Sequence, residues 1–279
     1  MSTKKFLAVF DGLKYSSGTA KYAVQLAGAS DAYLVGVFLD DFTYHSYSLT
    51  GRGGYEKLLA QRKELQEADA QTRHDSAKEF DKVCDVAGVN HVIHHDHSLA
   101  SQEILIESAY ADLLIANKGE TFTQYEQDVP ASFIRDLLAG AECPVILVPD
   151  EFKPINKIIM LYDGAPSSVY AIKLFSYLFP NLRQLPVEVI TVKSYGSNRH
   201  VPESRRLKEL MERHFTDVVY TVAEGDPERE IIEQLKYRQQ DELIVLGAYQ
   251  RSGVSRWFKP SMADLLLAAL KAPLFVAHR

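Results

Sequence analysis

Two carboxylates stand directly after apolar runs, at positions where parallel strands would end. Asp11 follows the run 6–10 and Asp163 follows the run 158–162, and a glycine comes next in both cases. Ligands of open parallel sheets bind beyond the carboxyl ends of the strands, so each carboxylate could hydrogen-bond a ribose or a base. The alternative is a turn or helix N-cap carboxylate. We favour this structural role for Asp11, and both interpretations stay open for Asp163.

A second candidate for chemistry is the stretch from Gly247 to Ser261, which leads into a helical pattern from about Met262. A loop that feeds a helix N-terminus presents free backbone N–H groups and the positive end of the helix dipole, which suits phosphate. Trp257 and Phe258 are expected to pack into the core or a domain interface. Three cations in the stretch have the sign that a phosphate requires: Arg251, Arg256 and Lys259.

A group of histidines occurs on one short segment: His91, His94, His95 and His97. On a strand, three of them would share one face and could seat a metal ion. Because no cysteine or second carboxylate accompanies them at a suitable spacing, we interpret the segment as an exposed, polar strand end. We therefore predict no metal site.

The segments that must position these residues occur twice along the chain. Apolar runs predict strands near 5–10, 32–38, 90–95, 112–116 and 144–148, and again at 157–162, 187–192, 217–222, 242–247 and 273–278. Helical patterns in the second half lie near 166–179, 203–214, 227–238 and 261–271. Strands that are apolar throughout are typical of parallel sheets buried on both faces. The alternation predicts an α/β fold of two doubly wound domains, at 1–150 and 155–279.

The first copy carries a surplus segment, 41–88. Residues 42–55 are rich in Tyr, Ser and Gly and predict a loop, whereas residues 56–87 form a long, highly charged helical pattern. We interpret this helix as solvated and extended, with a lid or a partner-docking surface as the alternative. The linker from Pro149 to Pro154 is short and should hold the two domains close together.

Composition and charge exclude several classes of protein. The chain has 279 residues and a formal net charge of −6; residues 1–150 carry 13 Lys/Arg against 22 Asp/Glu, and the remainder 18 against 15. An acidic first half and a mildly basic second half do not favour nucleic-acid binding. No apolar stretch is long enough to span a membrane, and no signal peptide is evident. The two cysteines, Cys84 and Cys143, lack metal-ligand spacing, and we expect a cytoplasmic protein. Because Cys143 precedes Pro144 at the start of a buried strand, we expect its thiol to be packed.

The motifs together resemble the universal stress protein family, as two tandem copies over nearly the whole chain. The similar features are Asp-Gly after the first strand, Gly225-Asp226-Pro227 before a helix, Gly247 followed by Arg-Ser-Gly, Ser261, and a final strand after Ala-Pro. The resemblance implies Rossmann-like, adenine nucleotide alpha hydrolase-like domains, each with a five-stranded parallel sheet flanked by helices. One branch of that family binds ATP through a Gly-x2-Gly-x9-Gly-(Ser/Thr) loop, and another branch lacks the loop and does not bind ATP.

The chain departs from that loop in both copies. In the second copy Gly247 and Ser261 are retained, but Gln250 and Pro260 replace the other two glycines. A side chain at 250 obstructs the approach of the backbone to phosphate, and proline at 260 removes an N–H donor. The first copy begins its loop at Asn117 and contains carboxylates that would repel a triphosphate: Glu120, Glu126 and Asp128. We therefore do not expect the first copy to bind ATP.

These observations predict a non-enzymatic, tandem universal stress protein that acts as a stress-response regulatory or binding module. One alternative is an adenine-nucleotide (ATP or AMP) binding protein with at most slow ATPase activity in the second copy. Its predicted site is Asp163, Gly164, Val192, Gly247, Gln250, Arg251, Ser261 and Met262. A second alternative is a carrier of another small ligand in the first copy, with 41–88 as a lid.

We also predict how the two domains associate. A hydrophobic edge strand at 144–148 or 273–277 would be an aggregation hazard unless it were paired. The resemblance implies the same arrangement, because single-domain relatives pair through their edge strand. We therefore expect an intramolecular pseudo-dimer and leave open a further homodimer.

Overall fold

The structure is a computed structural model that describes residues 4–39, 55–96, 100–123, 125, 127–196, 200–238, 241–248 and 262–278. The strands of the first half are β1 Lys5–Asp11, β2 Tyr33–Leu39, β3 His91–Asp96, β4 Leu113–Asn117 and β5 Val145–Val148. Its helices are α1 Ser17–Ser30, α2 Tyr55–Ala87, α3 Ala100–Ser108 and α4 Ser132–Gly140.

The second half repeats this alternation. Its strands are β6 Lys157–Leu161, β7 Val187–Lys193, β8 Val218–Glu224, β9 Glu242–Ala248 and β10 Leu274–His278. Its helices are α5 Pro166–Leu178, α6 Ser204–His214, α7 Pro227–Leu235 and α8 Met262–Ala269. Each strand predicted from the sequence is confirmed, as are the helices of the second half. The predicted helices at 227–238 and 261–271 end earlier, at Leu235 and Ala269.

The ten strands form one sheet in the order β3-β2-β1-β4-β5-β10-β9-β6-β7-β8. All neighbours within each half are parallel, which confirms two five-stranded parallel halves. The halves join where β5 and β10 pair antiparallel, with Ile146 opposite Phe275. The two predicted edge strands therefore pair with each other inside one chain. Because their directions are opposed, each half has its own carboxyl edge, the edge at which its strands end.

Two helices, α1 and α7, begin where a local side chain accepts from a first-turn N–H group. The N-cap of α1 is Ser16, whose hydroxyl accepts from the N–H of Thr19 at 3.2 Å. The N-cap of α7 is Asp226, and Pro227 occupies a first-turn position where its missing N–H costs nothing. Both caps lie between the end of a strand and the start of the next helix, at the carboxyl edges where the candidate sites lie.

The hydrophobic core has two layers, one on each face of the sheet, and both layers contain residues from the two halves. On the face that carries α1 and α5, the ring of Phe6 lies 5.8 Å from that of Phe179, and Phe179 in turn contacts Phe275. Apolar packing thus continues across the paired β5 and β10. Cys84 and Cys143 are buried thiols in these layers, and burial raises the pKa of each to about 12, as expected for packed cysteines.

Two lysines of the first half cap helices of the second half. The Lys4 ammonium donates to the carbonyl of Leu178 at 2.8 Å, at the end of α5. The Lys118 ammonium donates to the carbonyl of Leu270 at 2.7 Å, just beyond α8. Cations at helix C-termini satisfy carbonyls that lack intrahelical partners and interact favourably with the dipole. These contacts join the halves in addition to the sheet and the core.

In the part of helix α2 whose side chains the structure describes, residues 63–87, the buried contacts lie in the last turns. Ser76, Ala77, Phe80 and Cys84 are buried, whereas residues 63–72 are exposed apart from a half-buried Asp69. The charged helix predicted at 56–87 is confirmed, and this exposure fits a solvated, extended helix. The loop predicted at 42–55 falls outside the described residues, except for Tyr55, which begins α2.

Among the residues that the structure describes, no helix is long and apolar enough to cross a membrane.

Candidate functional site

The second-half site consists of the predicted residues that the structure describes at the carboxyl edge of that half: Asp163, Gly164, Val192, Gly247 and Met262. Asp163 follows β6 and has an exposed side chain. Its Oδ1 accepts from the N–H of Ala165 and from the hydroxyl of Ser168, both at 2.8 Å. The carboxylate therefore shapes the turn that starts α5, as the structural interpretation expects. Its exposure also leaves it accessible to a ligand.

Gly164 is required by the backbone at this turn. Its φ is +87°, and a Cβ added there would lie 2.7 Å from the Cβ of Pro202. The same segment is held by the Tyr162 hydroxyl, which donates to the carbonyl of Pro202 at 3.2 Å. Burial raises the pKa of Tyr162, and the charges of Glu203 and Asp163 raise it further, so the phenol remains a donor.

Gly247 brings the end of β9 against the start of α5. A Cβ added at Gly247 would lie 2.2 Å from the carbonyl oxygen of Ser167 and 2.7 Å from the nitrogen of Ser168. Only glycine allows two backbones to approach this closely. The glycine that the sequence analysis assigned to phosphate therefore has a packing role of its own.

Val192 and Met262 pack against the core layer on the other face of the sheet, both half-buried. Thr191, which sequence reasoning did not select, is buried, and its hydroxyl has no hydrogen-bond partner in the described part of the chain. The structure thus brings together Asp163, Gly164 and Gly247 around the start of α5. The other predicted residues fall outside the part of the chain that the structure describes: Gln250, Arg251, Ser261 and the aromatic pair 257–258.

The first-half site, formed by Asp11, Asn117 and Glu120, differs in its burial. Asp11 is 3% exposed at the end of β1, and its Oδ1 accepts from the N–H of Leu13 at 2.8 Å. Its Oδ2 is buried and has no hydrogen-bond partner among the described residues. Burial raises the pKa of Asp11, whereas the N–H groups of the turn and the charges of Lys14 and Arg73 lower it. Asp11 is a turn carboxylate, as favoured, with one unsatisfied oxygen.

Glu120 also points inward, which the sequence analysis did not foresee. Its side chain is buried, and Oε1 accepts from the N–H groups of Thr121 at 3.0 Å and Phe122 at 3.2 Å. Burial raises the pKa of Glu120 to about 7, and the negative charge of Asp11 contributes to the rise. Two carboxyls thus share one buried region where the first copy would otherwise offer space to a ligand.

The linker adds a third carboxylate beside this site. The Asn117 amide donates to Asp150 Oδ1 at 2.7 Å and to the hydroxyl of Ser16 at 3.2 Å. A Cβ added at Gly18 would lie 1.9 Å from the carbonyl oxygen of Asp150, so the linker passes directly over the first turn of α1. Farther along, the Tyr22 hydroxyl accepts from the N–H of Lys153 at 3.0 Å. The linker is therefore packed onto the first half.

Helix α2 supplies the other side of the first-half site. The Ser76 hydroxyl donates to the carbonyl of Gly12 at 2.8 Å, and a Cβ at Gly12 would lie 2.8 Å from Arg73 Cγ. The surplus segment therefore contacts the turn after β1, some 60 residues away in sequence. In the sequence, the only signal for this contact was that the surplus segment lies between the second and third strands.

The histidines of β3 are distributed over both faces of the strand. His91 contacts the Asp81 carboxylate at 2.9 Å, and His94 contacts the Glu107 carboxylate at 3.0 Å. The ring of His95 lies 5.8 Å from that of Phe38. Within the described residues, no group of three His, Cys, Asp or Glu side chains could hold a metal ion. The strand end is polar, as predicted, but only His95 is exposed: His91 and His94 are half-buried against carboxylates of α2 and α3. His97 lies outside the described residues.

The comparisons with known proteins agree with this architecture. The chain is 21% identical over 269 residues to a universal stress protein of Synechocystis, covering 90% of this chain and 91% of that protein. The structure of a universal stress protein from Archaeoglobus fulgidus superposes with a TM-score of 0.72 at 13% identity, over 100% of both chains. The cytoplasmic domain of a prokaryotic cation chloride cotransporter gives a TM-score of 0.52 at 12% identity, over 99% of this chain and 95% of that one. No family model matches the sequence.

Sequence similarity and architecture point to the same group of proteins. The Synechocystis protein matches over 90% of this chain, and the internal repeat seen in the sequence appears as two five-stranded parallel halves. The chain is thus similar to universal stress proteins over most of its length, and two copies of the α/β unit form one polypeptide.

Proposed function

We propose that this tandem universal stress protein is a non-enzymatic binding module with a regulatory role in the stress response, and that its second half carries the ligand site. The observation that supports this assignment is the difference between equivalent positions of the two halves. Asp163 is exposed at its carboxyl edge, whereas Asp11 is buried beside Glu120.

The first half offers a poor environment for an anionic ligand. Asp11, Glu120 and Asp150 place three carboxyls around the end of β4 and the start of α1. Phosphate would meet like charge there, and like charges at short range in a low-dielectric region repel strongly. The linker also lies over the first turn of α1, because a Cβ added at Gly18 would lie 1.9 Å from the carbonyl oxygen of Asp150. A carrier function in the first half is therefore not our proposal.

The second candidate function is adenine-nucleotide binding by the second half, with at most slow ATPase activity. The exposed Asp163 carboxylate favours it, because a carboxylate at this edge can accept from a ribose hydroxyl. In this arrangement Gly247 and Ser261 would lie near the phosphates and Arg251 would assist. The turn bonds of Asp163 use Oδ1, so a ligand would be expected at the other oxygen.

Calorimetric titration of the full chain with ATP and with AMP, together with a phosphate-release assay, tests both candidates. Nucleotide binding by the second half predicts one equivalent per chain, lost in Asp163→Ala and Ser261→Ala and retained in the matched first-half variant Asp11→Asn. The non-enzymatic proposal predicts no phosphate release above background in any of these proteins. Release that disappears in Asp163→Ala would contradict it. Two equivalents per chain would contradict the assignment of the site to the second half.

A chain that binds neither nucleotide would point to another ligand or to a protein partner. Native mass spectrometry of freshly purified protein would then identify any small molecule that remains bound. A molecule retained equally by wild type and by Asp163→Ala would argue against the second-half site.

A further inference from the structure

The carboxyl of Asp11 is the starting observation for an inference about the first half. Asp11 is 3% exposed and its Oδ2 has no hydrogen-bond partner in the described residues. An ionised oxygen that is buried without a donor from the described residues is costly. A proton on Asp11, or one shared with a neighbouring carboxyl, removes this cost.

Glu120 is the neighbouring carboxyl, and it organises the segment that contains it. We define the Glu120 segment as residues 118–123. Two of its N–H groups, those of Thr121 and Phe122, donate to Glu120 Oε1. Phe122 has a φ of 49°, in the left-handed region that L residues seldom adopt, and its ring packs 4.6 Å from that of Phe133. The local bonds of Glu120 therefore hold a strained conformation in place.

The charges around this pair come from three elements. Lys14, in the turn after β1, donates to the carbonyl of Thr123 at 2.6 Å and interacts favourably with both carboxyls. Arg73 of α2 interacts with Asp11. Asp150 of the linker lies on the Asn117 side and adds negative charge near Lys118. Two buried carboxyls that interact in this way do not ionise independently, and one of them keeps its proton to a higher pH.

We propose that Asp11 and Glu120 form a proton-binding site and that the bound proton keeps the Glu120 segment closed on the first half of the sheet. Loss of the proton places two negative charges in one buried region, and the segment relieves the repulsion by moving Glu120 towards water. Within the same segment, Lys118 donates to the carbonyls of Leu270 and Leu267 at the end of α8. Opening of the segment therefore also loosens a contact between the halves.

The test is hydrogen–deuterium exchange of the full chain from pH 5.5 to pH 8.5, with each rate divided by the intrinsic rate at that pH. In wild type we expect the protection of residues 118–123 to fall by at least about tenfold between pH 6 and pH 8.5, the factor given by one unit of pKa difference. In Glu120→Gln and in Asp11→Asn the protection should stay constant, because only one charge can form. Asp128→Asn, an exposed carboxyl nearby, is the matched control and should behave as wild type does.

A second measurement gives a result even if a variant does not fold. Carboxyl carbon NMR of wild type labelled at glutamate should show Glu120 titrating near pH 7, well above the other glutamates. Titration of Glu120 near its ordinary pKa of 4.5 would overturn the proposal. So would constant protection of residues 118–123 in wild type, or a fall in protection that Glu120→Gln retains.

Discussion

At the scale of single residues, the second half contains an ion cluster at the edge of the sheet opposite to the candidate site. We define it as Lys157, Glu188, Arg238 and Glu242. Glu188 accepts from Arg238 at 2.8 Å, from Lys157 at 2.7 Å and from the hydroxyl of Thr221 at 2.8 Å. These bonds, chiefly that of Arg238, lower the pKa of Glu188 to about 2 against the effect of burial. The cluster lies where strands begin, so we assign it to stability.

Replacing Glu188 with glutamine should therefore destabilise the protein in a pH-dependent way. The variant leaves two partly buried cations with only the longer contacts to Glu242, and we expect a loss of about 3 kcal/mol in the free energy of unfolding at pH 7. A lowered pKa stabilises the fold above the ordinary pKa of 4.5, and this contribution disappears as the pH falls towards 2. The difference between wild type and variant should therefore shrink below pH 5.

Urea denaturation at several pH values measures this difference. The matched control is Glu209→Gln, which removes an exposed ion pair with Arg205 and should change stability by less than about 0.5 kcal/mol. A Glu188→Gln variant as stable as wild type at pH 7 would show that the cluster contributes nothing.

Gly247 packs against the start of α5, so its contribution to stability must be measured separately from any role in ligand binding. We expect Gly247→Ala to cost about 3 kcal/mol without any ligand, because the new Cβ would overlap the backbone of Ser167. Gly28→Ala is the control: the added Cβ meets nothing within 4 Å, and alanine in α1 should stabilise by about 0.5–1 kcal/mol. Thermal unfolding measures both. A Gly247→Ala protein of unchanged stability would show that this strand end can move away from α5.

At the scale of elements, the contacts between halves are made by helix ends as well as by strands. Lys118 is half-buried, and burial lowers its pKa, an effect that the charge of Asp150 opposes. Its ammonium reaches the carbonyls at the end of α8. One side chain thus links the end of β4 in the first half to a helix whose beginning faces the second-half site.

We expect Lys118→Met to destabilise the protein by about 1–2 kcal/mol, because two carbonyls lose a charged donor. The loss should be local, so amide exchange of α8 should accelerate more than that of α5. Lys63→Met, an exposed position on α2, is the control and should leave both stability and exchange unchanged. Equal acceleration of α5 and α8 would indicate a general loss of stability and contradict the capping role.

At the scale of the whole molecule, the antiparallel pairing of β5 and β10 makes one sheet out of two repeats. The strands are fully buried at this pairing: Val145, Ile146, Leu147 and Val276 have no exposed surface. An unpaired strand of this kind would template association with another chain. The pairing therefore explains why two copies are useful in one polypeptide, since covalent linkage supplies the partner.

Separating the halves should reveal this dependence. A fragment of residues 1–154 should self-associate through β5, and adding residues 155–279 should convert it into a 1:1 complex. Sedimentation velocity distinguishes these states. About 100 μM lies well above the dissociation constant expected for an interface of this kind. A fragment 1–154 that stays monomeric at this concentration would contradict the prediction. This experiment also tests the domain boundaries proposed from the sequence.

The sequence by itself determined the repeat, the order of strands and helices, and the need to pair two apolar edge strands. These features depend on residues that are near one another in the chain, such as the buried run of β9 or the cap formed by Asp226 and Pro227. The turn role of Asp11 was also predicted from its place after a strand, whereas the sequence left the role of Asp163 open. What only the tertiary structure decided is the environment of each carboxyl at the two edges. Asp11 is buried because α2 packs over its turn, and Asp150 reaches Asn117 because the linker folds back over α1. Burial and charge at a site depend on residues that are distant in sequence, so local patterns could not distinguish the buried Asp11 from the exposed Asp163.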